Sequence, residues 1–243
     1  MYEQLIGFLE GCGFIKVEDQ LSFLLNPENI PFAIWETLYA PLVAALLAYV
    51  IGLPLGVLLV TGEEGSIHPL PRWLMRTLNT AINLLRSVPF LILMALAMPL
   101  TRMILGTAIG TAATIVPLTV AAFPYVARLV EASLREVDRG VVEAAQSMGC
   151  STLQIVTKVM LPECTPSLIT GATNASITIL GYGAMAGTIG GGGLGALALQ
   201  RGYARNQLIV MYVAVILLVL LVQLLQTLGT KLAAKTDKRI THK

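Results

Sequence analysis

The chain has 243 residues, 56% of them hydrophobic and 12% charged, with a mean hydropathy of +0.77 and a net charge of +2. Soluble domains carry about 25% charged residues, so the composition argues against a water-soluble globule. A charge this small and scattered likewise argues against nucleic-acid binding, which needs a dense basic face.

The N-terminal stretch to Glu36 holds six acids against one lysine, Lys16, and Glu3 and Glu10 stand where a secretory signal would carry Lys or Arg. No cleaved leader is expected from that pattern. A membrane-crossing helix needs about 20 mostly apolar residues, since only a helix satisfies its own backbone groups in hydrocarbon. Five such spans are predicted, over about 38–60, 79–100, 104–126, 168–189 and 208–229. The second contains Arg86 and Pro89, and the fourth contains Asn174, Ser176 and Thr178. Pro54, Pro89, Pro117 and Pro124 are expected to kink their helices. Glycine pairs at four-residue spacing, Gly52 with Gly56, Gly106 with Gly110 and Gly183 with Gly187, predict close helix packing inside the subunit, with a dimer seam as the alternative.

Cytoplasmic loops retain Lys and Arg. With the C-terminus in the cytoplasm, twelve of the sixteen positive charges fall on that side, and only Lys16, Arg102, Arg201 and Arg205 fall outside. The expected fold is therefore all-α and integral to the membrane: five transmembrane helices, N-terminus outside, C-terminus cytoplasmic. An external arm would occupy residues 1–36, the membrane domain 37–232, and a basic tail 233–243.

Between the third and fourth spans lie about 40 residues, from Ala127 to Ser167, more than twice the length of any other connection. A loop of that length with helical patterning points to function. Gly149 suits the left-handed turn after a helix end, Ser151 and Gln154 have capping-box spacing, and Pro162 ends or kinks the helix that the box opens. The expectation is a helix, a tight turn and a second helix on the cytoplasmic surface. Small Ala144 and Ala145 would let a partner approach closely, and Glu143 could pair with a basic group. Taken alone, Glu-Ala-Ala would be an ordinary amphipathic helix.

The spacing of Glu143-Ala144-Ala145, Gly149, Val159 and Leu161-Pro162 resembles the EAA coupling loop of ABC-importer permeases, with Val159 where isoleucine is more usual. The resemblance covers about residues 33–232 through RSVPF from Arg86, GTAIGTAATIVPLT from Gly106, ARLVE from Ala127, EVDRGVVEAAQSMG from Glu136, KVMLPE from Lys158 and GYGAMAGTIGGGGLG from Gly181. Together these are most similar to the methionine-uptake permease family, from which the long acidic arm departs. The resemblance implies the permease subunit of an ATP-driven importer in the bacterial inner membrane, carrying an amino acid, methionine before others. A permease for another small amino acid or an organic anion is the alternative. It implies that Glu143, Ala144, Ala145, Gly149 and Pro162 dock into an ATP-binding subunit, within an assembly of two permease copies, two ATP-binding subunits, and an external binding protein or lipoprotein, set in membrane lipid.

No phosphate-cradling GxxxxGK[ST] occurs, and the GxGxxG inside Gly190–Gly195 has neither a preceding strand nor a following acid. The chain is thus expected to be no enzyme and to hold no cofactor, with ATP and magnesium on the partner. Cys12, Cys150 and Cys164 form no CxxC pair and the histidines number two, so no metal site is expected. Asn174, Ser176, Thr178, Tyr182 and Met185 on the fourth span are pathway candidates, because polar groups at membrane depth face an interior or a wet path. An ion-driven transporter would call for paired halves and an intramembrane acid, and a membrane enzyme for a Cys/His or HExxH constellation; neither pattern is present.

Overall fold

The computed structural model describes Ile6 and residues 17–237. The rest of the acidic arm and the tail charges Lys238, Arg239 and Lys243 lie outside the described residues. Every regular element among the described residues is helical. The α-helices, in chain order, are α1 (Val17–Leu25), α2 (Asn29–Thr61), α3 (Arg72–Ser87), α4 (Phe90–Leu105), α5 (Ile115–Arg135), α6 (Arg139–Ser147), α7 (Thr152–Ile155), α8 (Leu161–Glu163), α9 (Thr165–Ala186), α10 (Gly193–Ala196) and α11 (Leu208–Thr236).

Among the described residues three helical stretches are long and apolar enough to cross a membrane: α2, Ala112–Arg135 with α5, and α11. The first of these begins earlier than the expected 38–60. The span expected over 79–100 is not one helix, because the chain turns by 109° between α3 and α4. Pro89 has no N–H to give and its ring crowds the preceding residue, so Val88 is forced into an extended conformation (φ −79°, ψ 127°). The expected fourth span corresponds to α9, 22 residues long, whose polar and glycine positions leave it below the hydropathy of the other three. Among the described residues, length and composition therefore identify three crossing helices, or four if α3 and α4 form one broken span, against the five expected. Pro54 and Pro124 lie inside α2 and α5 without interrupting them, and Pro117 sits in the first turn of α5, where a missing N–H leaves no bond unmade.

The chain divides into two compact units. The first comprises Met1–Ala44, Met94–Leu118 and Thr178–Leu224. Here Ala33, Leu194, Ala198 and Ala214 form a buried cluster. The Gln20 side chain of α1, 0% exposed, accepts from the backbone N–H groups of Ile209 (2.9 Å) and Val210 (3.4 Å), two of the donors that a helix start leaves without partners. Arg201 lies 3.6 Å over the Phe23 ring. The described part of the acidic arm thus caps α11. A Cβ on Gly183 would stand 2.8 Å from Pro41, and one on Gly187 would strike the Ala196 backbone.

The second unit comprises Ala45–Leu93, Thr119–Ile177 and Leu225–Lys243. Leu59, Met75, Ile82 and Ala127 form its buried cluster, drawn from α2, α3 and α5. A Cβ on Gly52 would come within 2.8 Å of Val126, and one on Gly56 within 2.6 Å of Val130, so this glycine pair is the surface on which α2 meets α5. Packing within the subunit therefore accounts for Gly52 and Gly56 and for Gly183 and Gly187. Gly106 and Gly110 are different: a Cβ on either would meet nothing within 4 Å, and their φ values of +75° and +106° make them turn residues.

Gly56→Leu should separate α2 from α5 at an overpacking cost of about 1–3 kcal/mol. The purified variant should melt at a lower temperature in detergent than the parent. An unchanged melting temperature would contradict this contact.

Candidate functional site

The expected helix, turn and helix all form within the second unit. Asp138 opens α6, its carboxylate accepting from the Gly140 N–H at 2.6 Å. At the other end Gly149 takes φ +77°. The Gly149 N–H then donates to the Gln146 carbonyl (2.9 Å) and the Cys150 N–H to the Ala145 carbonyl (3.2 Å), the paired bonds of a Schellman turn. Any side chain at this φ is strained, which is why the sequence has glycine. The capping box forms as expected: the Gln154 N–H donates to Ser151 Oγ at 3.4 Å, and the Ser151 N–H to Gln154 Oε1 at 2.9 Å. Past α7 the helix widens into a π-turn over Val156–Met160, with the Leu161 N–H reaching back to the Val156 carbonyl. Pro162 lies immediately beyond; it cannot donate to the Lys158 carbonyl, and the widened turn gives its ring room.

The five coupling candidates separate by exposure. Glu143, Ala144, Gly149 and Pro162 are exposed, whereas Ala145 is 3% exposed and faces the chain's own interior, where α6 packs on α7 and the π-turn. The two alanines therefore do different work: Ala144 is available to a partner and Ala145 seats the helix. Three large apolar side chains surround the turn in the open, Val141 (46%), Met148 (77%) and Leu153 (73%). Sequence reasoning missed them; the signal was apolar residues flanking Gly149 on an otherwise polar surface segment.

Beneath the turn lies an ionic knot that the sequence also concealed. Glu131, 8% exposed, accepts from Arg128 at 2.6 Å and from Arg135 at 2.9 Å. Arg128 also donates to Asn79 (2.8 Å) and Asn83 (2.9 Å) of α3, and Arg135 to Glu63, just past α2, at 3.1 Å. Spacings of three and four residues on α5 put both arginines on the side of Glu131. A second tie joins α5 to α9: the Ser167 hydroxyl is 3.0 Å from that of Ser133 and donates to Glu136 at 3.1 Å. A cavity of about 500 Å³, lined by Glu63, Arg135, Arg139 and Glu143 among others, opens between this knot and α6. Burial pushes the nearby Cys164 thiol up to about 11, so it stays protonated and unreactive.

Along α9 the pathway candidates divide. Asn174, Thr178, Gly181, Met185 and, just past the helix, Thr188 recur every three or four residues, and all but Thr178 are exposed, so they form one stripe that the chain itself leaves uncovered. Tyr182 borders that stripe. Ser176 lies off it, its hydroxyl donating to the Ala172 carbonyl at 2.8 Å.

Glu36, expected to end the external arm, is instead inside α2. It is half-buried and accepts from the Thr111 hydroxyl and from the Gly193 N–H at 2.9 Å, while Thr37 accepts from the Leu194 N–H at 2.8 Å. The glycine run thus serves as a tight turn pinned to α2 within the first unit. Among the described residues no cluster of three or more His, Cys, Asp or Glu could hold a metal ion.

The family described as binding-protein-dependent transport system inner membrane component matches residues 52–238. The chain is 47% identical over 218 residues to the probable D-methionine transport system permease protein MetI of Vibrio cholerae, covering 89% of this chain and 96% of that protein. It is 47% identical over 212 residues to the protein of the same description from Pasteurella multocida, covering 87% and 97%. A solved structure of inward facing conformations of the MetNI methionine ABC transporter matches with a TM-score of 0.84 at 44% identity, covering 86% of this chain and 96% of that one.

Removing one member of a buried, hydrogen-bonded ion pair costs about 3–5 kcal/mol, because the remaining charges keep their burial and lose their partner. Glu131→Ala should therefore lower the melting temperature sharply, and Glu64→Ala should not, since the Arg72–Glu64 pair is exposed. Equal effects would contradict the buried knot.

Proposed function

The chain belongs to the family of binding-protein-dependent transport system inner membrane components, and on that premise we propose that it forms the membrane pathway of an ATP-driven methionine importer and takes its driving force at the turn around Gly149. It is an inner membrane protein. Methionine is favoured over other amino acids and organic anions by nearly half-identical, near-full-length likeness to permeases described for D-methionine.

The observation that carries the mechanism is the exposed tip of the second unit. The Schellman turn holds Glu143, Ala144, Met148 and Leu153 outward on a rigid base, while Ala145 ties α6 to the helices behind it. A partner that gripped this tip would move α6 as a body, since packed interfaces shift between discrete arrangements rather than deform. The Glu131 knot and the Ser133–Ser167 tie carry that movement to α3, α5 and α9. The gripping partner is an ATP-binding subunit, which also holds the ATP and magnesium; this chain supplies a contact surface and no catalytic group.

Two copies of the chain bring the open stripe of α9, with Asn174, Thr178 and Met185, and Tyr182 at its border, onto a shared pathway. The tip is cytoplasmic in this reading, given the positive charge of its surroundings, and an external binding protein delivers the substrate from the other side of the membrane.

Co-expressed with its ATP-binding partner and reconstituted with the binding protein, the chain should support ATP-dependent uptake of labelled methionine in preference to a panel of other amino acids. Uptake indifferent to methionine would overturn the substrate assignment. Gly149→Asp, which strains the φ +77° turn and adds a charge at the contact, should insert normally into the membrane and reduce uptake by at least about tenfold, equivalent to 1.4 kcal/mol of lost coupling. Normal uptake by that variant would overturn the coupling role.

A further inference from the structure

We infer that α3 lies in the plane of the bilayer surface and binds anionic phospholipid headgroups through Arg76 and Arg86. Its 16 residues rise about 24 Å, short of the roughly 30 Å hydrocarbon core, and the chain turns by 109° at its end. The helix is divided lengthwise into three faces. Met75 and Ile82 are buried against α2 and α5. Arg72, Arg76 and Arg86 are exposed and lie along one flank at helical spacing. The opposite flank presents Trp73 (70% exposed), Leu84 (63%) and Leu74 (37%).

An arginine flank opposite a Trp and Leu flank is the arrangement by which a helix sinks its apolar side to the level of the acyl boundary and keeps its cations at the headgroups. The bonds from Arg128 to Asn79 and Asn83, which share the arginine flank, fix the rotation of the helix and leave the Trp73 and Leu84 flank turned outward, while Arg76 and Arg86 stay exposed beside them. Arg72 is paired with Glu64. Among the described residues no carboxylate pairs with Arg76 or Arg86, so their charges are open to an external anion. A bilayer carrying anionic lipid supplies both things this surface lacks, a hydrocarbon boundary for Trp73 and Leu84 and negative charge for the arginines.

The chain has two tryptophans, so Trp35→Phe leaves Trp73 as the sole indole reporter. The full-length Trp35→Phe chain is placed in nanodiscs of phosphatidylcholine doped with equal fractions of either phosphatidylglycerol or phosphatidylcholine brominated high in the acyl chain. Brominated phosphatidylglycerol should quench Trp73 at least about twice as strongly, from attraction by two arginines. Arg76→Gln with Arg86→Gln should remove that preference while leaving quenching by brominated phosphatidylcholine intact, which also shows that the helix remains folded at the surface. Equal quenching by both lipids in the Trp35→Phe chain would overturn the headgroup binding. Quenching of Trp73 by aqueous iodide and by neither lipid, or by none of the three because a second copy covers it, would overturn the placement at the bilayer.

Discussion

The second unit depends on a carboxylate held out of water between two guanidinium groups. Glu131 is 8% exposed, and a lone anion there would cost several kcal/mol. Arg128 and Arg135 offset that cost and are themselves fixed, one by Asn79 and Asn83 and the other by Glu63. The set therefore links α3, α5 and the end of α2 at the place where the chain leaves them for α6. Apolar packing near it, with Gly56 closed onto Val130, gives contact without direction; the ionic knot supplies direction, because its bonds are satisfied in one arrangement.

On this base the turn at Gly149 can be small and still effective. A helix of nine residues, α6, has little stability of its own. It is held by the Asp138 cap, the Schellman bonds and the buried Ala145. What remains outward is a largely apolar tip bearing Glu143, with few internal degrees of freedom. The first unit is built with the same economy: Gln20 and Glu36 each accept from backbone donors near helix starts, and a run of glycines supplies a turn that no side chain could enter.

Local chemistry was legible in the sequence where one residue decides one backbone feature. Gly149, the Ser151–Gln154 box and Pro89 each did so, since a positive φ, a pair of capping bonds and a missing N–H act within a few residues. Spans were less legible. Hydropathy averaged over 79–100 blurs a boundary that Pro89 makes sharp, and it hides that residues 72–87 pattern as an amphipathic helix. The same glycine spacing meant packing at Gly52 and Gly56 but turns at Gly106 and Gly110, because spacing does not report φ. Glu36 was illegible because its partner is distant in sequence, Gly193 lying 157 residues away; Glu131 has its arginines three and four residues off on α5, but the groups that fix them, Asn79, Asn83 and Glu63, come from other parts of the second unit. Ala144 and Ala145 look alike in sequence, and only the register of α6 separates the exposed one from the buried one.

Cross-linking to the co-purified ATP-binding partner tests the central claim most directly. Single cysteines would be placed at Met148 or Ala145 in a chain whose Cys12, Cys150 and Cys164 are replaced. Met148→Cys should cross-link to the partner, with a yield that changes between nucleotide-free and ATP-trapped states, and Ala145→Cys should not, since position 145 is 3% exposed. Cross-linking at 145 but not at 148, or a yield at 148 indifferent to nucleotide, would contradict a turn that receives force from that partner.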